Sequence, residues 1–208
     1  MISKRNPERS DFAFYDAAES RYAIEKGKLL IVYGNGSEKN AHRCAENLFE
    51  TILGIRFDYL SLEKSFKGKP FLPGNLLNFN ISHTENAFLI AIYKAEEIGV
   101  DLEKIRENDD LNSLAEYAFS PDERVFFVKN YSNKTFLGIW TMKEAYLKAT
   151  GLGMVDSLHS LHVVSEPGFG VIDKSYGSFI FGCPGGETGS IVFRGRMPEI
   201  RLVKISDS

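Results

Sequence analysis

The six residues Ile98-Gly99-Val100-Asp101-Leu102-Glu103 constrain this chain more than any other stretch. Apolar and polar positions alternate with the two-residue period of a strand. Val100 and Leu102 therefore anchor one face, and Asp101 and Glu103 stand side by side on the other. Two adjacent anions repel, so a positive partner is expected between them. A hard divalent cation such as magnesium fits, because carboxylate oxygens are its preferred protein ligands. A solvated sheet face also accommodates the pair, since acidic side chains are mostly exposed. The pair alone leaves both readings open.

The surrounding pattern predicts a helix over 12–25, ending before Gly27, and a buried strand over 29–33. Gly34-Asn35-Gly36 turns the chain, and Ser37 can cap a helix over 38–53 that Gly54 ends. The third glycine of a dinucleotide fingerprint is replaced by Lys39, and no regular strand-helix alternation follows, so a Rossmann fold is not supported. Strands are expected over 57–62, 76–82, 87–93 and 98–103. The last three are joined by short links that favour antiparallel neighbours. A helix over 111–118 is followed by a start at Ser120-Pro121-Asp122-Glu123, with a capping residue, a first-turn proline and a glutamate three positions on. A helix over 134–150 stops at Gly151, and strands are expected over 158–164, 178–182, 190–193 and 201–205. Helices first and antiparallel strands after, twice over, predict an α+β fold of two similar halves, 1–105 and 106–208, packed as one continuous unit.

Composition removes several classes of function. In a chain of 208 residues, 43% hydrophobic, a sizeable core can form. The net charge of −3 argues against a nucleic-acid binder. No apolar run reaches the roughly 20 residues of a membrane span. Cys44 and Cys183 are too few for a disulfide framework, and the polar, charged start does not read as a signal peptide, so a cytoplasmic location is expected. Walker A and G-x-S-x-G motifs are absent. His159 and His162, three apart in an expected strand, would face opposite ways and make no zinc pair.

A second group lies on the helix over 134–150. Helical spacing puts Leu137, Thr141, Glu144 and Lys148 on one face, with Trp140 beside it. Lys143 falls on another side, as a solvated or packing residue. Glu144 and Lys148 alone could be a surface ion pair one turn apart. Together with Asp101 and Glu103 they read differently: Glu144 supplies a third carboxylate for a magnesium ion, and Lys148 a point charge for phosphate oxygens. Lys69, on a glycine-proline loop, and Ser82-His83, at a strand end, can also donate to phosphate. Simple solvation for Lys69 and a local backbone bond for His83 are the alternatives.

Gly68-Lys69-Pro70, Phe79-Asn80-Ile81-Ser82-His83, Ile98 through Glu103, and Trp140-Thr141-Met142-Lys143-Glu144-Ala145-Tyr146-Leu147-Lys148, in that order, resemble the signature of the 4'-phosphopantetheinyl transferases. Ala41-His42-Arg43 extends the likeness upstream, and the length resembles the larger, surfactin-synthetase-activating type. The resemblance implies a pseudo-twofold α+β fold with coenzyme A in the cleft between the halves. It also implies transfer of the phosphopantetheine arm to a serine of an apo acyl or peptidyl carrier protein, releasing adenosine 3',5'-bisphosphate. By matched position, Asp101, Glu103 and Glu144 would hold Mg2+, and Arg43, Lys69, Ser82, His83 and Lys148 would bind coenzyme A. Glu123 matches a family acidic position, although the capping box explains it equally well. Such an enzyme would act on carriers for fatty acid, polyketide or nonribosomal peptide synthesis, as a monomer, without nucleic acid or membrane. Two rivals share parts of the pattern: another magnesium-dependent phosphoryl or nucleotidyl transferase, and a non-catalytic carrier-binding protein. Phe126, Phe127 and Tyr131 could form a carrier-docking patch or belong to the core.

Overall fold

The computed structural model describes residues 12–56, 62–65, 68–94, 97–106, 110–153, 158–165, 168–171 and 173–205. The strand expected over 57–62 lies, apart from Leu62, outside them. The first part of the chain runs β1 (Ala13–Phe14), α1 (Ala17–Glu25), β2 (Leu29–Asn35), α2 (Glu38–Leu53), β3 (Glu63–Lys64), β4 (Pro70–Phe71), β5 (Asn78–His83), β6 (Ala87–Tyr93) and β7 (Ile98–Glu103). There follow α3 (Leu111–Ala118), α4 (Pro121–Lys129), α5 (Asn133–Thr150), β8 (Val164–Ser165), β9 (Gly168–Phe169), β10 (Tyr176–Gly182), β11 (Thr188–Arg194) and β12 (Ile200–Lys204). The fold is α+β, as the sequence predicts.

Local chemistry sets many of these boundaries. Gly54 ends α2 in the left-handed region at φ 68°, where glycine meets no steric penalty. The capping box at Ser120 forms, with the Ser120 N–H donating to Glu123 Oε2 at 2.8 Å. The helix expected over 12–25 starts later, because Asp16 accepts from the Glu19 N–H at 2.7 Å and so caps α1. The residues before it form β1, which pairs in parallel with β12 from the far end of the chain.

Two sheets lie between two layers of helices. The five-stranded sheet has the order β1-β12-β2-β6-β5, and the three-stranded sheet the order β10-β11-β7. Alternating side chains of β2 and β6 feed two cores: Leu30, Val32, Phe88, Ile90 and Ile92 pack with α1 and α2, while Leu29, Ile31, Leu89 and Ala91 face the second sheet. Ile98, Val100 and Leu102 of β7 join that inter-sheet core, as their spacing predicts. Helices α3, α4 and α5 cover the other face of the three-stranded sheet. The sheets do not divide the chain at one point. Strand β12 lies in the first sheet, whereas β7 lies in the second.

Two expectations are corrected. Strand β7 does not pair with β6, despite the short link, because both edges of β6 are already taken by β2 and β5; β7 pairs antiparallel with β11 instead. Residues 158–164 form a short 3-10 turn and then the start of β8 rather than one strand. Side chains claim their backbone groups: the Leu158 carbonyl accepts from Lys143, and the Val163 N–H donates to Glu123. Of the two readings of Lys143, solvated or packing, the structure favours packing. The side chain is 1% exposed and pairs with the equally buried Glu123 at 2.6 Å.

Helix α5 crosses β7 at close range because residue 99 is glycine. A Cβ there would come within 2.1 Å of the Ala145 carbonyl oxygen and 2.3 Å of the Ala149 nitrogen. Both are backbone atoms, so the helix itself would have to shift. Gly99→Ala is expected to lower stability by about 1–3 kcal/mol in urea denaturation, the usual cost of overpacking.

Candidate active site

Strand β7 is hydrogen-bonded to β11 along one edge only. Its other edge is satisfied mainly by side chains reaching across from β5 and the loop before β4. The Val100 N–H donates to Asn80 Oδ1 at 2.9 Å, and the Leu102 N–H donates to Ser82 Oγ at 3.2 Å. The Ile98 carbonyl accepts from the Lys69 ammonium at 3.1 Å. Residues 98, 100 and 102 present their backbone groups to the same side, so alternate positions of one segment are held by alternate positions of β5. Asn80 has this role through its place in the fold. Its polarity inside an apolar strand was the one signal in the sequence.

The opposite face of β7 carries the carboxylates. Asp101 is 3% exposed. Its Oδ1 accepts from Ser82 Oγ at 2.9 Å and from the Lys148 ammonium at 2.7 Å. Lys148 also donates to Ser82 Oγ at 3.0 Å. The structure thus joins Ser82, Asp101 and Lys148, from β5, β7 and α5, in one network. Ser190, opposite Asp101 in β11, shares a 2.5 Å hydrogen bond with Thr141, which ties the same helix face to the same sheet.

Glu103 and Glu144 flank this network, where Lys148 and, at Glu103, Arg106 offset their raised proton affinity only in part. Burial, then the Asp101 charge, push the Glu103 carboxyl up to about 7, against the opposing pull of Lys148. Burial and then Asp101 raise Glu144 as well. Two open grooves reach the cluster. One, about 310 Å3, is lined by Lys69, Asn80, Glu144 and Lys148. The other, about 790 Å3, is lined by His83, Glu103, Arg106 and Glu187. Glu187 is 6% exposed and accepts from the Tyr33 hydroxyl at 3.3 Å. It lies next to Thr188, the register partner of Glu103, and no sequence pattern marks it.

The remaining predicted residues are more spread out. Lys69 directs its ammonium to the carbonyls of Ile98, Lys148 and Ala149. His83 Nε2 lies 3.7 Å from Glu38, which also faces His42 at 3.7 Å. Arg43 lines a separate groove with Asn35, Asn40 and Cys44. Phe127 is a core residue, 1% exposed, with its ring against Phe119 and Phe136. Tyr131 packs at a tilt against Phe127 yet remains 58% exposed. His159 makes a 3.1 Å contact with the Phe119 carbonyl through Nδ1.

The donor set suits a hard cation. Asp101 Oδ2 is buried with no hydrogen-bond partner among the described residues, which is costly for a carboxylate oxygen unless something positive meets it. Asp101 raises the proton affinity of both Glu103 and Glu144, and Glu144 adds to that of Glu103, against the pull of Lys148 and, at Glu103, of Arg106. Among the described residues, no three His, Cys, Asp or Glu groups form a ready cage for a metal. Magnesium does not need one, because it commonly takes one or two carboxylates and completes its shell with water and substrate phosphates.

The model of the 4'-phosphopantetheinyl transferase superfamily matches residues 97–179, which include β7, α5 and the buried Glu123–Lys143 pair. Over those residues the chain resembles the 4'-phosphopantetheinyl transferase superfamily. Over 116 residues it is 40% identical to the 4'-phosphopantetheinyl transferase HetI of Nostoc sp., covering 54% of this chain and 48% of that protein. It is 28% identical over 170 residues to the 4'-phosphopantetheinyl transferase gsp of Aneurinibacillus migulanus, covering 78% and 70%. It is also 29% identical over 141 residues to the L-aminoadipate-semialdehyde dehydrogenase-phosphopantetheinyl transferase of Xenopus laevis, covering 60% and 46%. The matched stretch thus spans about half the length of HetI and of the Xenopus protein. The matched segment holds all four members of the carboxylate-lysine group, Asp101 and Glu103 on β7 and Glu144 and Lys148 on α5.

The raised Glu103 carboxyl gives the metal-free protein a defined pH response. Folding raises its pKa from 4.5 to about 7, so the folded state holds the proton more tightly. The stabilisation is fully present below about pH 4.5 and is lost as the pH rises through about 7. In chelator-treated protein, stability by urea denaturation is expected to fall across that window. Glu103→Gln should reduce the slope and leave the residue due to Glu144.

Proposed function

We propose that this chain transfers the 4'-phosphopantetheine arm of coenzyme A to a serine of an apo carrier protein and releases adenosine 3',5'-bisphosphate. The observation that carries this reading is the buried Asp101 carboxylate, one oxygen held by Lys148 and Ser82 and the other without a partner among the described residues, between grooves that also expose Glu103 and Glu144. The likeness of residues 97–179 to the superfamily and the names of the relatives support it. The nucleophile belongs to the carrier, so the enzyme needs no serine triad of its own. Its task is to bind a pyrophosphate, balance its charge and align the attacking hydroxyl.

Asp101, Glu103 and Glu144 would hold magnesium. When bound, the ion would neutralise pyrophosphate oxygens as charge moves to the leaving group. Lys148 would face the same phosphates, with Ser82, His83 and Arg43 as further contacts to coenzyme A. The serine oxygen forms a bond to the phosphorus that bears the pantetheine arm. The bond from that phosphorus to the bridging oxygen breaks, and adenosine 3',5'-bisphosphate leaves with the electron pair. Glu144, directly or through water, takes the serine proton; Glu103 is the second candidate. Their raised proton affinities suit acceptors working near neutral pH. Both β7 and α5 come from one chain, which supports a monomeric enzyme. The reduced state of the cytoplasm suits its two free cysteines.

The test incubates the protein with coenzyme A, magnesium and a panel of apo carriers and follows carrier mass. A gain of one phosphopantetheine arm is expected. Carrier binding with no mass gain would sink the proposal. Asp101→Ala should abolish metal-dependent transfer while circular dichroism reports an intact fold. Glu144→Gln should lower turnover by about 10²-fold or more, the usual contribution of a general base, with magnesium occupancy measured separately. Near-normal turnover would remove Glu144 from the proton-acceptor role.

A further inference from the structure

We propose that Lys69 is a positioning residue, which sets the distance between Lys148 and Asp101 and does not contact the phosphates of coenzyme A. The inference rests on the transferase reading for its kinetic consequences and on geometry for its origin. The Lys69 ammonium is 2.6 Å from the Lys148 carbonyl, 3.2 Å from the Ala149 carbonyl and 3.1 Å from the Ile98 carbonyl. An ammonium has three N–H donors and no acceptor, so these three carbonyls use its full capacity.

The three acceptors are not arbitrary. Lys148 and Ala149 lie in the last turn of α5, which ends at Thr150. Carbonyls of a last turn have no partner within the helix and form the negative end of its dipole. Ile98 opens β7, three residues before Asp101. One cation therefore ties the backbone of the residue that carries the catalytic ammonium to the strand that carries the buried carboxylate. The loop is built to hold it there. The Lys69 N–H donates to Ser65 Oγ at 3.1 Å, the Ser65 N–H donates to the Lys69 carbonyl at 2.9 Å, and Gly68 turns the chain with φ 83°. Pro70 then enters β4, paired with Lys64.

Lys69 completes a set. Ile98, Val100 and Leu102 offer the backbone groups of the free edge of β7, and Lys69, Asn80 and Ser82 meet them in turn. Of the three, Lys69 alone also reaches α5 through its side chain to the helix backbone. It is the piece that couples the strand to the end of the helix, just where Lys148 bridges to Asp101 at 2.7 Å.

Two experiments decide. In the first, wild-type protein is reductively methylated under single-hit conditions, with and without coenzyme A, and mapped by mass spectrometry. Lys69 is expected to stay unmodified in both states. Modification in the free protein with protection by coenzyme A would overturn the proposal. This labelling needs no transfer activity, so it stands even if the transferase assay fails. In the second, Lys69→Met and Lys69→Arg are compared by steady-state kinetics. Both are expected to lose about tenfold or more in kcat while KM for coenzyme A stays within about threefold, because a planar guanidinium cannot meet three converging carbonyls. A rise in KM of about tenfold in Lys69→Met, with kcat kept and KM restored in Lys69→Arg, would identify a phosphate ligand and overturn the proposal.

Discussion

The Asp101 carboxylate is buried at the junction of two sheets, and most of the local architecture exists to make that burial tolerable. A charge removed from water needs a partner and hydrogen bonds at once. Lys148 and Ser82 supply them at one oxygen. Lys148 can reach only because α5 lies against β7, and it lies there because Gly99 leaves room for the helix backbone. Ser82 can reach only because β5 runs along the free edge of β7. One anion thus draws on three elements from separate parts of the chain.

The second oxygen of Asp101 has no partner among the described residues, and this gives the arrangement its chemical character. A site meant only for stability would close on itself, as the Glu123–Lys143 pair does: both its members are buried, and Ser120, Val163, Ala118 and Leu158 take up their remaining bonds. The Asp101 cluster instead opens toward two grooves, with Glu103 and Glu144 held at raised proton affinity by burial and by Asp101. Two neighbouring lysines of α5, Lys143 and Lys148, therefore do different work. One locks the helix to the layer behind it, and the other faces the site.

Much of this was legible in the residues. Alternation placed Val100 and Leu102 in the core and Asp101 and Glu103 on the other face, and helical spacing put Thr141, Glu144 and Lys148 toward them. Gly54, Gly151 and the Ser120 capping box fixed helix ends, since their chemistry is local. The partner of β7 was not legible, because strand pairing depends on which edges remain free after the first sheet has formed. Nor was the partner of Lys143, since its spacing allows a solvated or a packing residue until Glu123 arrives from another helix. The turn at Leu158–Ser160 was hidden for the same reason: side chains distant in sequence occupy its backbone groups.

Sequence by itself determined the inventory and the local geometry: which side chains share a face, where helices start and stop, and that an acidic strand and an acidic-basic helix belong together. These follow from the two-residue and 3.6-residue periods, which act over a few residues. Tertiary structure alone decided that β12 completes the first sheet, that Asn80 and Ser82 replace a missing strand beside β7, and that Lys69 points at three carbonyls. Those outcomes depend on hydrogen-bond groups left over once neighbouring elements have packed, and buried polar groups must find partners wherever the fold brings them.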